Sequence, residues 1–580
     1  MAKRPNILVI LTDQQRFPPV YENEDLKHFR REVLKGEQSL HDTGVSFNRH
    51  YTMSAACTPS RASFITGQYP SLHGVTQTDG ICKGPDSPDM RWLAPNTVPT
   101  MGDWFRAGGY RTFYKGKWHV SHLHLPAPDG EGQLQSLTED GVPIPENISA
   151  FLKADLLEPY GFSEWVGPEP HGLGKQNTGT IKDPFTADEV ISLLKRLDED
   201  GSDKPWLTVC SFLNPHDIAI FGVIALAQGL RYDTKEIPSI PNAPTHEEDL
   251  STKPLAQQSY VDVWGKMLAP QPWIELQRKF YFQMQRNVDE QIARVLAALR
   301  ATRQFENTIV VFSADHGDML GAHGGMHQKW HIAYEEATHV PFVVASPLIK
   351  GPRSVETLTS HADLLPTLLG LADIDQAAAL KQVSATHKEA YPLVGRDLSG
   401  VILGTGQAPA AEPVLFMTDD EITEGSEIPK SPFQIWARKI GTYFHIIQPN
   451  HVEMVVAEVD VDGKKHLVKL ARYHDNPQFW TVPGERDERL MRHNKINKVS
   501  ERSPDEYELY DLTVDPTETR NLVHPKHADE RSRALLVRMQ QVLAEQLEKK
   551  RLVPHSGGTP GYVPPESKFS GRALSPEGLG

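Results

Sequence analysis

The sequence predicts an α/β fold: a large, mainly parallel sheet flanked by helices, followed by a smaller C-terminal α+β domain. Three observations predict it. Residues 7–11, 110–114, 207–212 and 308–312 are short runs, apolar on both faces, which suits strands buried inside a parallel sheet. Helical patterns lie between them, at 98–107, 187–197 and 280–303. The first is closed by Gly108-Gly109 and the last is long and amphipathic. Strand and helix in alternation indicate parallel pairing. After about residue 405 the character changes. Residues 414–417, 433–436, 443–447, 454–459 and 466–470 look like short antiparallel strands. Residues 530–550 carry Leu535, Leu536, Met539, Val542, Leu543 and Leu547 on one helical stripe. This places a large α/β domain at 1–405, an α+β subdomain at 406–552 and a Gly- and Pro-rich tail at 553–580. The stretches 126–184 and 221–273 fit regular structure poorly and are expected as loops, the second as a lid or insertion.

Composition narrows the function. The 580 residues carry 60 Lys and Arg against 75 Asp and Glu, a net charge of −15. An acidic surface argues against nucleic acid or anionic membrane as a partner. An anionic small molecule stays open, because a local basic pocket overrides the mean field. No apolar stretch approaches a membrane span in length. The apolar run behind Met1-Ala2-Lys3-Arg4-Pro5 is too short for a signal-peptide core, so the expected compartment is the cytoplasm. Three cysteines, Cys57, Cys82 and Cys210, are too few for a disulfide framework, and none has the CxxC spacing of a zinc-thiolate site. Cys210, inside an expected strand, reads as core.

Each of the four strands runs into residues able to bind metal or move protons. Asp13 follows the first, Lys117 and His119 the second, His216 the third, Asp315 and His316 the fourth. Open α/β sheets hold ligands beyond the carboxyl ends of their strands, so the four endings are expected on one rim.

The sharpest motif is Cys57-Thr58-Pro59-Ser60-Arg61, continuing to Thr66-Gly67. Pro59 suits a helix start and Gly67 a helix end. Cys57 would then lie at a helix N-terminus, where the dipole favours an anion, with Arg61 one turn on. A lone cysteine is more often buried filler. Here C-x-P-S-R closely resembles the signature of the type I sulfatases of the alkaline phosphatase superfamily. The resemblance covers most of residues 1–400. It includes Asp13, the Gly116-Lys117-Trp118-His119 motif, Asn214-Pro215-His216, Asp315-His316-Gly317-Asp318, and Lys329 ahead of Tyr334-Glu335-Glu336 and Val340-Pro341. Beyond that span, Glu508 to Leu512, Asp515-Pro516 and Asn521-Leu522 match a segment of the family's C-terminal domain.

The resemblance implies an alkaline phosphatase-like fold and a sulfuric ester hydrolase. It implies that Cys57 is oxidised to formylglycine by a maturation enzyme, and that the hydrated aldehyde attacks sulfur to give a covalent sulfo-enzyme. Asp13, residue 57, Asp315 and His316 would hold one divalent metal, and Gln14 could reach it through its carbonyl. Arg61, Lys117 and Lys329 would clamp the sulfuryl oxygens. His216 would protonate the leaving oxygen, helped by Lys329, and His119 would assist release of sulfate. The substrate would be a small sulfate ester, and the tail from residue 553 could pair copies of the chain into a homo-oligomer.

Two departures matter. Arylsulfatases commonly have Asp-Asp where this chain has Asp13-Gln14, and Asp-Asn where it has Asp315-His316. Both changes resemble the choline-sulfatase and phosphonate monoester hydrolase branch. A phosphonate monoester or phosphodiester hydrolase using the same site is therefore the alternative reading. Calcium or manganese suits the donor set better than magnesium, and the imidazole favours manganese. His323, His327 and His331 recur every four residues, but Gly321, Gly324 and Gly325 argue against a helix that would align them on a metal. His122 and His124 read as loop residues, and Asp318 as an orienting group rather than a ligand.

Overall fold

The computed structural model describes residues 4–555, apart from 81–82, 129, 131, 171–173, 221–232, 268–273, 407–410, 424–444 and 492–494. The expected strand at 433–436, Cys82, most of the tail and parts of the 221–273 stretch lie outside the described residues.

The first sheet contains β1 (Asn6–Asp13), β2 (Val45–Phe47), β3 (Arg111–Gly116), β4 (Trp206–Pro215), β5 (Thr308–Ala314), β6 (Phe342–Ala345) and β7 (Arg353–Val355). Their order is β3-β4-β1-β5-β6-β2-β7. Pairing is parallel from β3 through β5 and between β2 and β7, while β6 runs antiparallel to both neighbours. β1 shows why the sequence looked apolar on both faces. Ile7, Val9 and Leu11 point to one core with Phe64, Trp104, Leu364 and Leu365. Leu8 and Ile10 point to the other, with Val190, Leu194, Cys210, Val288 and Ile292. Cys210 is thus core, as expected.

The helices of the second face are α2 (Gly179–Glu199) and α3 (Ile274–Arg300), which pack on each other and on β4. The first face carries α1 (Cys57–Thr66) and α4 (His361–Leu371). The stretches expected as loops hold more structure than their sequence suggested. A helix spans Pro145–Ala154, α2 begins at Gly179, and another helix spans Leu255–Met267.

The second sheet is antiparallel and four-stranded: β8 (Val414–Thr418), β9 (His451–Val461), β10 (Lys464–His474) and β11 (Glu506–Asp511), in that order. The described residues of the expected 443–447 strand, 445–447, are not a strand. Period-2 alternation divides the sheet's faces. Leu415 and Met417 pack with Leu535, Met539 and Leu543 of α5 (Glu530–Lys550), while Val414 and Phe416 pack with Tyr334 and Ala337 of the first domain. Among the described residues no helix is long and apolar enough to cross a membrane.

Candidate active site

The strand register assembles the site. Asp13 lies beside Pro215 at the end of β4, so His216 is the next residue along that rim. Thr12 pairs with Ala314, and the amide of Asp315 donates to Thr12 O at 3.2 Å, bringing Asp315 alongside Asp13. At the end of β3 the chain turns on Gly116 (φ +89), where a Cβ would meet Ser211 O at 2.0 Å. Only glycine fits that turn, and it aims Lys117 at the same rim.

α1 delivers Cys57 from below. The helix starts at Cys57 and stops at Gly67, which takes the left-handed conformation at φ 65. Cys57 Sγ is 3.2 Å from His316 Nε2 and 3.6 Å from Asp13 Oδ1. His316 Nδ1 is 2.9 Å from Gly317 O, so Nδ1 carries the proton and donates. That leaves the Nε2 lone pair facing the two carboxylates. The donor atoms of Asp13, Cys57, Asp315 and His316 all lie within 4.8 Å of one another and all are buried. Two carboxylates, an imidazole lone pair and residue 57 make a donor set that fits one divalent cation.

The electrostatics of the cluster agree. Burial pushes the Asp13 carboxyl up, but Lys117, His216 and Arg61 outweigh it and hold it well below the usual range. Asp315 goes the other way, pushed up to about 6 by burial and by the Asp13 charge. His316 is pulled down to about 3, first by burial and then by Lys329. The two carboxyls are thus pushed in opposite directions beside an imidazole held down by burial. Burial also raises the Cys57 thiol to about 12, with Asp13 adding to the shift. Position 57 sits at a helix N-terminus as expected, but burial and the neighbouring carboxylate outweigh the dipole there.

Arg61 reaches into the cluster from α1. Its Nε donates to Asp315 Oδ2 and its Nη2 to Asp13 Oδ2, each at 2.9 Å. Its Nη1 donates to Lys117 O and Ser211 Oγ, also at 2.9 Å. With 1% exposure and hydrogen bonds to both carboxylates, Arg61 is placed to hold Asp13 and Asp315 in position. Lys117 Nζ is 2.6 Å from Asp13 Oδ2. Lys329 Nζ donates to Gln14 Oε1 at 2.7 Å and lies 4.6 Å from the Trp330 ring. The Gln14 carbonyl thus faces Lys329, and its Nε2 donates to Asp318 Oδ2 at 2.5 Å and Gln328 Oε1 at 2.9 Å. Gln14 adopts φ 69, a costly conformation for a side-chain-bearing residue. The hydrogen bond from its amide to Asp315 Oδ1, at 2.9 Å, helps hold it there. Asp318 orients Gln14, in keeping with its expected role.

His216 opens a short 3-10 turn, His216–Ile220, and is half-buried. Burial together with Lys117 and Lys329 keeps its imidazole well below the usual histidine range. His119 Nε2 is 3.2 Å from Thr58 Oγ1 and 2.5 Å from Asp79 Oδ1. His327 and His331 turn elsewhere, His331 Nδ1 toward Asn450 O at 3.0 Å. His122 meets Asp86 at 3.0 Å.

Several residues absent from the motif reading support the site. Glu169 Oε1 accepts from the amides of Trp118 (3.1 Å) and His119 (2.8 Å), fixing the left-handed turn at His119, φ 54. Asp183 accepts from the amides of Leu213 (2.6 Å) and Asn214 (3.0 Å), just ahead of His216. Asp420, from beyond β8, accepts from Trp330 Nε1 at 3.1 Å and Thr78 N at 3.0 Å. None of these sits in a recognisable motif. Asp183 lies in the 126–184 stretch that the sequence marked as a loop, so no signal pointed to it.

The sequence profile of the Sulfatase family matches residues 5–374, well over half of the chain. The uncharacterized sulfatase YidJ of Escherichia coli is 30% identical over 402 residues, covering 65% of this chain and 70% of YidJ. The choline-sulfatase of Rhizobium meliloti is 28% identical over 386 residues, covering 64% of this chain and 68% of that protein. Among solved structures, a 2-O GAG sulfatase superposes with a TM-score of 0.57 at 21% identity, covering 98% of this chain and 99% of its own. The phosphonate monoester hydrolase of Agrobacterium radiobacter gives 0.55 at 20% identity, covering 95% of this chain and 96% of its own. The two superpositions show the shared fold. With a buried Cys57 in a C-x-P-S-R helix start, four residues able to hold a metal ion and a family match over residues 5–374, the chain belongs to the sulfatase family of sulfuric ester hydrolases.

Proposed function

We propose that the protein hydrolyses small sulfate esters through formylglycine formed from Cys57, with one divalent cation held by Asp13, Asp315, His316 and residue 57. The observation that supports this most is the placement of Cys57 Sγ, 3.2 Å from His316 Nε2 and 3.6 Å from Asp13 Oδ1, beside buried Lys117 and Lys329. The cation, calcium or manganese with the imidazole favouring manganese, supplies positive charge that orients the nucleophile and offsets charge on the sulfuryl group. Formylglycine supplies, when hydrated, an oxygen nucleophile that a buried thiol cannot replace.

The chain's own residues do the rest. Lys117 and Lys329 hold the sulfuryl oxygens, and their burial strengthens that attraction. His216 gives its proton to the leaving oxygen. Burial first, and then Lys117 and Lys329, hold it neutral; a bound sulfate ester offsets the two lysine charges and raises its affinity for a proton. His119, beside Thr58 and braced by Asp79, takes a proton from residue 57 as sulfate is released. Cys57 is 1% exposed, so the maturation enzyme must meet it before the fold closes. The cytoplasm is the proposed compartment.

The Asp13-Gln14 and Asp315-His316 pairs favour a second reading, phosphonate monoester or phosphodiester hydrolysis at the same site. Matured enzyme assayed on matched aryl sulfate and aryl phosphonate esters tests the choice. Sulfate turnover is expected to dominate, and equal or faster phosphonate turnover would overturn the primary reading.

A further inference from the structure

We propose that His323, Glu336 and Glu518 form a second metal site, a structural one for a divalent ion of the manganese–zinc class. The three ligand atoms lie within 4.8 Å of one another, and none of the three residues belongs to the Asp13 cluster. Three ligands about 2.1 Å from a common ion stand about 3.6 Å apart when spread evenly around it, so the site closes on an ion with shifts of less than about 1 Å.

His323 points to an ion more strongly than the carboxylates do. It is fully buried, at φ 46 between Gly321 (φ 86) and Gly324 (φ 70), and its ring stacks on Tyr334 at 3.6 Å. Nδ1 lies 2.7 Å from Glu248 Oε2, so Nδ1 carries the proton and donates to that carboxylate. Nε2 has no hydrogen-bond partner among the described residues. It faces Glu336 Oε2 at 3.8 Å, too far for a hydrogen bond. Metal-bound histidines almost always show this arrangement, with the distal N–H on a carboxylate and the lone pair on the ion. An imidazolium bridging Glu248 and Glu336 would instead leave a buried N–H without an acceptor in range.

The neighbouring charges leave room for a cation. Lys469 reaches Glu335 at 2.7 Å and Glu518 at 2.8 Å, and Lys253 reaches Glu248 at 3.1 Å. Glu336 takes a hydrogen bond from Tyr21 at 2.9 Å, and Arg16 contributes longer-range charge. No lysine or arginine forms an ion pair with Glu336 among the described residues. An imidazole with two carboxylates is a mixed nitrogen and oxygen set, which selects manganese or zinc over calcium. The site would tie Glu518, beyond β11 in the C-terminal subdomain, to the 323–336 segment that carries Lys329.

Metal content by plasma mass spectrometry tests this on the full chain, loaded with Mn2+ or Zn2+ and freed of loose ions by gel filtration. Wild type should hold two ions. Asp315→Asn should lose the one at the Asp13 cluster, and His323→Gln should lose the other. Glu248→Gln keeps all three ligands and should weaken the second ion 10–100-fold, read by chelator competition. A wild type holding one ion that Asp315→Asn removes would overturn the site. So would a His323→Gln chain holding as many ions as wild type. If His323→Gln fails to fold, the Glu248→Gln titration decides, and unchanged affinity for both ions overturns the proposal. One ion lost on His323→Gln but kept in Asp315→Asn would support this site while removing the metal from the proposed catalytic one.

Discussion

Replacing Arg61 separates two roles that a motif cannot distinguish. Its guanidinium makes two charged hydrogen bonds, to Asp13 and Asp315, each at 2.9 Å, and two more to Lys117 O and Ser211 Oγ. Losing a hydrogen bond to a charged group costs about 1.5–3 kcal/mol, so Arg61→Ala forfeits about 3–6 kcal/mol. Breaking a buried ion pair by deleting one partner gives a similar figure, about 3–5 kcal/mol. That is a large share of the roughly 5–15 kcal/mol that stabilises a domain. Arg61→Lys, which keeps the charge without the fork, should lose about half as much. Denaturation of chelator-treated protein reads the stability. In loaded enzyme the loss should appear as weaker metal affinity and lower kcat, with kcat recovering as metal is raised. Arg61→Ala with wild-type stability and metal affinity, but KM raised tenfold at unchanged kcat, would refute the reasoning. It would restore Arg61 as a substrate clamp.

Three other outcomes follow from the same geometry. His216→Ala should cost about 10²–10⁴ in kcat on alkyl sulfates and much less on aryl sulfates with acidic leaving groups, because only a poor leaving group needs its proton. Equal losses on both series would remove His216 as the acid. Asp183→Ala strands the amides of Leu213 and Asn214, at about 1–3 kcal/mol each, and should lower kcat at least tenfold by loosening the loop before His216. A pH profile unchanged in shape would mark Asp183 as a positioning residue. Stability should fall in acid. Burial pulls His73 down to about 3, so between the unfolded value near 6.5 and about 3 the unfolded chain binds the extra proton. The thermal midpoint should therefore drop as pH falls below about 6.5, less steeply in His73→Gln. An equal slope in both would assign the acid lability elsewhere.

The parts of the fold that show locally were readable in the sequence. β1, β3, β4 and β5 are short apolar runs because helices cover both faces, and α3 carries its own amphipathic period. β11 was missed because Glu508 breaks its apolar pattern. That carboxylate takes hydrogen bonds from Tyr334, Gln257 and Tyr473 of other segments and from Tyr510 on β11 itself. The helices Pro145–Ala154 and Leu255–Met267 were hidden in Pro- and Gln-containing stretches. In the site, Asp13, Cys57, Asp315 and His316 were legible because each belongs to a motif at a strand or helix end. Asp79, Glu169 and Asp183 were not, because each acts through a few hydrogen bonds to a distant segment. Arg61 was recognised, but the groups that take up its donors come from the ends of β1, β3, β4 and β5, which no motif shows. Gln14 shows the same limit: its partner, Lys329, is 315 residues away.

The central claim is that turnover depends on an aldehyde at residue 57. Trypsin releases His50 to Arg61 as one peptide carrying that residue. Its mass gives the fraction converted from thiol to formylglycine in preparations made with varying amounts of maturation enzyme. Sulfate-ester turnover is predicted to rise in proportion to that fraction, along a line through the origin. Undiminished turnover by protein whose residue 57 is wholly an unmodified thiol would contradict the account.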